Sequence, residues 1–162
     1  LDIILRKCDK SYGIHDKLEL AKRKNDYYRE LLNNITPKDI LPGVNSVLAE
    51  LKERCVKTAI GSSSKNTPFI LEKIGLDNYF DAVADGNEIT NSKPDPEVFL
   101  LAAKKLGTEA EECLVVEDAD AGVEAALAGG MKVVGVGSAA DNKSADFRVR
   151  DLTELNIKEV LK

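Results

Sequence analysis

The segment "CLVVEDADAG", Cys113 to Gly122, decides the fold: an apolar run fit for a buried strand passes straight into two adjacent carboxylates, Glu117 and Asp118. Strands of a parallel sheet covered on both faces read as near-continuous apolar runs, and in such sheets ligands gather at the carboxyl ends of the strands. Removing two neighbouring carboxylates from water without a counter-charge costs several kcal/mol. Something positive therefore belongs opposite them. Mg2+ suits, because it takes oxygen ligands, needs few protein carboxylates and keeps waters while bridging to a phosphate. Capping of the next helix by Asp118 or Asp120 would account for one carboxylate but not both.

Outward from this segment the same alternation repeats. Strand-like "VKTAIG" (56–61), "FDAVAD" (80–85), "CLVVED" (113–118) and "KVVGVG" (132–137) alternate with helical patterns at 44–54, 69–75, 96–107 and 121–130. A short strand near "FRVR" and a helix from about Thr153 close the chain. Strands separated by single helices predict an α/β fold with a Rossmann-type parallel sheet and helices on both faces. Gly75, Gly107 and Gly129 stand where left-handed helix caps are expected. Asp95 is placed to cap a helix whose first position is Pro96.

Residues 1–36 contain no strand-like run. Between Asp16 and Ile35 a helical period puts Leu20, Ala21, Tyr27, Tyr28, Leu31 and Ile35 on one face, with Lys24 in the middle of the stripe. Such a lysine either snorkels to water or meets a buried anion. "TPKDILPG" (36–43) has two prolines and a glycine, marking a boundary between a small helical unit, 1–36, which the resemblance described below makes a partial helical cap domain, and an α/β core, 37–162.

At 162 residues with 43% hydrophobic content the chain can build one core. A net charge of -5 argues against a general nucleic-acid surface, and no apolar run nears the ~20 residues of a membrane span. A soluble, cytoplasmic protein is expected. Cys8, Cys55 and Cys113, with no CxxC spacing, read as buried reduced thiols. His15, in a polar turn, reads as a surface residue. The chain starts at Leu1 within an amphipathic pattern (Leu1, Ile4, Leu5, Cys8), as a piece of something longer would.

Three loops at strand ends carry the chemistry. "SSSKN", Ser62 to Asn66, sets hydroxyls, an ammonium and a carboxamide before a helix, where backbone N–H groups and the helix dipole suit an oxyanion; a capping turn is the plainer alternative. "NSKPDPEVF" projects Lys93 from a stiff turn, towards a site or towards solvent. With Glu117 and Asp118, these loops describe a Mg-assisted phosphoryl-transfer site. Replacing Lys93 should then cost turnover with little loss of fold.

These residues resemble motifs two, three and four of the haloacid-dehalogenase-like phosphotransferases, in "SSSKN", "SKPDPEVF" and "VEDADAG", with "LPGV" and "FDAVAD" also matching. The likeness in "AKRKNDYY" and "SSSKN" is narrower and points to the sugar-phosphate mutases of that superfamily. The resemblance implies that Ser62, with neighbouring N–H groups, holds the transferring phosphoryl group, that Lys93 neutralises it, and that Glu117 and Asp118 hold Mg2+, Asp118 more directly. Ser64, Lys65 and Asn66 would bind the second phosphate of a sugar bisphosphate, Ser63 would count among the substrate-binding residues, and Lys24 would reach substrate from the cap.

The implied reaction interconverts β-D-glucose 1-phosphate and glucose 6-phosphate through an aspartyl-phosphate and β-glucose 1,6-bisphosphate. The superfamily's first motif, Asp-x-Asp after the amino-terminal strand, is not found, since Asp118-Ala119-Asp120 already belongs to motif four. The chain alone is therefore expected to be inactive, and to need a complementing amino-terminal segment that also supplies the central strand and a cap arginine. The complete protein is expected to be monomeric. A Mg-dependent sugar-phosphate phosphatase and a non-catalytic phosphate-binding module remain open; the order Ser62, Lys93, Glu117-Asp118 disfavours a receiver domain.

Overall fold

The structure, a computed structural model, describes residue 5 and residues 12–161. Cys8 and the pattern of Leu1 and Ile4 lie outside the described residues.

Helix α1 (Ile14–Leu32) is followed by a short turn at Pro37–Asp39. The α/β alternation then runs α2 (Val44–Glu53), β1 (Ala59–Gly61), α3 (Thr67–Ile74), β2 (Ala82–Ala84), α4 (Glu97–Leu106), β3 (Leu114–Glu117), α5 (Asp120–Ala128), β4 (Lys132–Val136), β5 (Phe147–Val149) and α6 (Ile157–Val160). All pairings are parallel, with Ile60 opposite Val83, Val116 opposite Val134 and Gly135 opposite Arg148.

The strands form two sheets, β1-β2 and β3-β4-β5. The unpaired edges of β1 and β3 both line a largely apolar cavity of about 570 Å³ between them, with residues 59–61 on one side and 114–117 on the other. Elsewhere the core is closed: Val98, Val123, Val133 and Val134 are fully buried. Val116, in the middle of a strand whose neighbour Val115 is buried, is left 43% exposed and lines the cavity.

Several expected boundaries move by a residue or more. Helix α5 is not closed by Gly129, whose φ of -81° is ordinary; Gly130, at φ 76°, takes the left-handed position while the Met131 N–H donates to the Ala126 carbonyl. Helix α4 begins at Glu97, one residue after Pro96, and the Asp95 carboxylate accepts from the Glu97 N–H at 3.0 Å. Neither Asp118 nor Asp120 caps α5, which starts after Ala119 with no side-chain cap.

The thiols differ from their expected burial. Cys55 is exposed, at the end of α2 with φ 56°, and Cys113 is half-buried, its thiol donating to the Glu109 carbonyl. Burial, then the charge of Glu112, pushes the Cys113 thiol above its usual range, which lowers its thiolate fraction. A disulfide reagent at neutral pH should thus label Cys55 first and Cys113 more slowly. Peptide mapping over a time course checks this, and the reverse order would contradict it.

Candidate phosphoryl-transfer site

The α1 helix presents Tyr27 (63% exposed), Tyr28 and Leu31 to solvent, and Lys24 lies exposed on the same helix. The apolar stripe is therefore uncovered in this structure. The next residue, Asn25, is within 3.5 Å of the Asn66 carboxamide, linking α1 to the loop after β1. His15 is exposed, as expected.

That loop continues the β1–β2 ladder by one bond, Ser62 N–H to the Ala84 carbonyl at 3.0 Å, and then turns. Its hydroxyls hold the turn: Ser62 Oγ accepts from the Ser64 N–H at 3.2 Å, and Ser64 Oγ from the Asn66 N–H at 3.1 Å. Each hydroxyl keeps its own proton free to donate to a ligand. The Ser63 hydroxyl is buried without a hydrogen-bond partner, whereas Lys65 is exposed. Asn66 precedes α3 but does not cap it through its side chain.

The loop after β2 supports this turn. The Gly86 N–H donates to the Ser64 carbonyl at 3.1 Å, and a Cβ on Gly86 would lie 2.3 Å from the Ser63 carbonyl oxygen, so the backbones meet only because residue 86 has no side chain. Asn87 bridges the buried Asp85 carboxylate and the Lys65 carbonyl.

Lys93 and Glu117 are brought into direct contact. The Lys93–Pro94 bond is cis, and the Lys93 ammonium pairs with Glu117 Oε1. Glu117 is only 8% exposed, and its other oxygen accepts from the Asp118 and Ala119 N–H groups at 3.2 and 3.4 Å. The counter-charge demanded by the sequence is thus partly a lysine. Asp118, by contrast, is exposed.

Two residues that the motifs did not single out, Phe99 and Gly122, adjoin this pair. Phe99 places its ring 4.4 Å from the Lys93 ammonium and packs on Gly61, the residue before Ser62. Gly122 makes room for the Glu117 carboxylate, since a Cβ there would lie 2.1 Å from its Cδ. Glu97 accepts from the Thr90 and Asn91 N–H groups at 2.9 and 2.7 Å, and those bonds, Thr90's first, hold its carboxyl below the usual range. The aromatic and the glycine were visible as residue types, but nothing local announced whom they would meet.

The turn after β1 is thus rich in hydroxyls, the end of β3 carries two carboxylates, and the Lys93 ammonium, from the loop after β2, pairs with one of them. Residues 2–136 match the haloacid dehalogenase-like hydrolase family, and the chain belongs to that family.

Within it, the chain is 37% identical over 155 residues to the beta-phosphoglucomutase of Bacillus subtilis (strain 168), covering 96% of this chain and 69% of that protein. It is 38% identical over 122 residues to the fructose-1-phosphate phosphatase YqaB of Escherichia coli (strain K12), covering 75% of this chain and 63% of that one. The crystal structure of beta-phosphoglucomutase (pgmB) from Clostridium difficile superposes with a TM-score of 0.90 at 37% identity, over 98% of this chain and 72% of that one.

Proposed function

We propose that the complete protein is a beta-phosphoglucomutase, interconverting β-D-glucose 1-phosphate and glucose 6-phosphate through β-glucose 1,6-bisphosphate. The observation that carries this reading is the meeting of Lys93 with Glu117 beside the Ser62 turn, in a chain similar to a mutase over nearly its whole length.

In this reading the Ser62 hydroxyl and the N–H groups of its turn, Ser63 included, donate to the oxygens of the transferring phosphoryl group. Lys93, held between Glu117 and the Phe99 ring, faces the charge developing in transfer without having to reorganise. Ser64, Lys65 and Asn66 bind the second phosphate, and Lys24 reaches the sugar from α1. Residues 1–36 form part of a helical cap and residues 37–162 the core.

Among the described residues no group of three His, Cys, Asp or Glu side chains could hold a metal. The donor chemistry still fits Mg2+, which is commonly held by one or two protein carboxylates with waters and phosphate oxygens. Asp118, exposed, would be the direct ligand, with Glu117 shared with Lys93. When bound, the ion supplies charge neutralisation on the phosphoryl oxygens.

The aspartyl nucleophile is assigned to an amino-terminal segment of the same polypeptide whose strand fills the slot between β1 and β3. The facing unpaired edges and the exposed Val116 support this. Without that segment the 162-residue chain is inactive, and the complete protein works as a cytoplasmic monomer. No helix among the described residues is long and apolar enough to cross a membrane.

A sugar-phosphate phosphatase is the second reading, favoured by the 38% identity to the fructose-1-phosphate phosphatase. Isotope-labelled β-glucose 1-phosphate, incubated with the complete protein, Mg2+ and a catalytic amount of β-glucose 1,6-bisphosphate, separates the two. Labelled glucose 6-phosphate is expected; release of free phosphate and glucose alone would replace the mutase by the phosphatase. Binding without either product would leave a phosphate-binding module.

A further inference from the structure

Thr90, Asn91 and Ser92, which lead into Lys93, are all exposed, so no apolar anchor on them holds this stretch to the core. Its position rests on polar bonds. Both oxygens of one carboxylate, Glu97, take the successive N–H groups of Thr90 and Asn91, and the Ser92 carbonyl accepts from the Asp95 N–H at 3.2 Å. Glu97 is itself fixed, because it opens α4 and its own N–H is held by Asp95. Two residues further along the same helix, Phe99 floors the Lys93 ammonium.

We propose that Glu97 is a positioning residue for Lys93: its carboxylate clamps the turn at Thr90 and Asn91, so that the lysine leaves that turn aimed at Glu117. The first turn of α4 thereby sets both ends of the lysine, the backbone through Glu97 and the ammonium through Phe99. A plainer role for Glu97 exists, since any acidic residue in the first turn of a helix favours the helix dipole. That role affects stability and leaves the environment of Lys93 alone. The clamp matters for phosphoryl transfer only if the mutase reading, or another use of Lys93 on phosphate, holds; its test requires no turnover.

The test is competitive acetylation of lysines with limiting acetic anhydride, read by mass spectrometry, in the wild-type protein, Glu97→Ala and Glu97→Gln. Lys93 is paired and its side chain 17% exposed, whereas Lys104 and Lys143 are exposed and serve as internal references. Loss of two hydrogen bonds to a charged group should raise the Lys93 rate relative to the references about tenfold in Glu97→Ala. Glu97→Gln, which keeps the length and one carbonyl acceptor, should give a smaller rise. A Lys93 rate unchanged in folded Glu97→Ala overturns the proposal. So does a rise shared equally by all three lysines, which marks general loosening. Should Glu97→Ala fail to fold, Glu97→Gln decides, and an unchanged Lys93 rate there overturns the proposal equally.

Discussion

Replacing Lys93 with methionine is expected to lower turnover of the complete enzyme by about 10² to 10³ and to destabilise the fold by roughly 3 kcal/mol. The loss of turnover follows from the proposed role, an ammonium fixed beside the phosphoryl-binding turn. The loss of stability revises the expectation, drawn from sequence, that the fold would hardly notice. Lys93 is the partner of Glu117, and Glu117 is nearly buried. Without the ammonium, that carboxylate keeps only the Asp118 and Ala119 N–H groups, at 3.2 and 3.4 Å. Breaking one side of a buried pair leaves the other charge uncompensated, which costs more than the pair was worth.

A double variant separates the two effects. In Lys93→Met with Glu117→Gln the buried charge is gone from both sides, so most of the stability should return while turnover stays low. Urea unfolding and initial rates on the wild-type protein and both variants check this. If Lys93→Met unfolds at the wild-type urea concentration, the ammonium is not Glu117's counter-charge; if its turnover is normal, Lys93 has no part in transfer.

The alternation of strand and helix was legible because each segment has a strong period and a terminating glycine, proline or acid. Strand lengths were not. "VKTAIG" promises six residues, yet only Ala59–Gly61 pair as a strand: the Thr58 carbonyl still accepts from the Asp81 N–H, but the Thr58 N–H is taken by the Asp81 carboxylate. The last helix starts at Ile157 rather than near Thr153, because Asp151 draws the Thr153 N–H into a side-chain turn and Asn156 supplies the cap. In both places a side chain outcompeted the ladder locally, which periodicity cannot see.

The site was readable to a similar depth. Ser62, Lys93 and Glu117 stand out by type and by their place at strand ends. Their supporting residues do not, since each acts on a partner distant in sequence: Glu97 on a turn six and seven residues earlier, and Phe99 on Gly61.

Gly122→Ala should be strongly destabilising although alanine is the better helix former. Gly122 lies in the first turn of α5 with an ordinary helical backbone, so the substitution gains about 1 kcal/mol of helix propensity. Against this stands the carboxylate of Glu117: a new Cβ would lie 2.1 Å from its Cδ and 2.2 and 2.5 Å from its two oxygens. The carboxylate must leave, giving up its backbone donors and the Lys93 ammonium. Hydrogen bonds to charged groups contribute about 1.5–3 kcal/mol each, so the clash outweighs the propensity gain and a net loss of roughly 2–4 kcal/mol is expected, with turnover falling as it would for loss of Glu117. The sign of the effect should reverse once the obstacle is removed. In a Glu117→Ala background the added methyl meets no carboxylate, and Gly122→Ala should then be neutral or stabilising by up to about 1 kcal/mol. Denaturant unfolding of the four members of this cycle measures the coupling; equal losses in both backgrounds would show that Gly122 is needed for something other than room for Glu117.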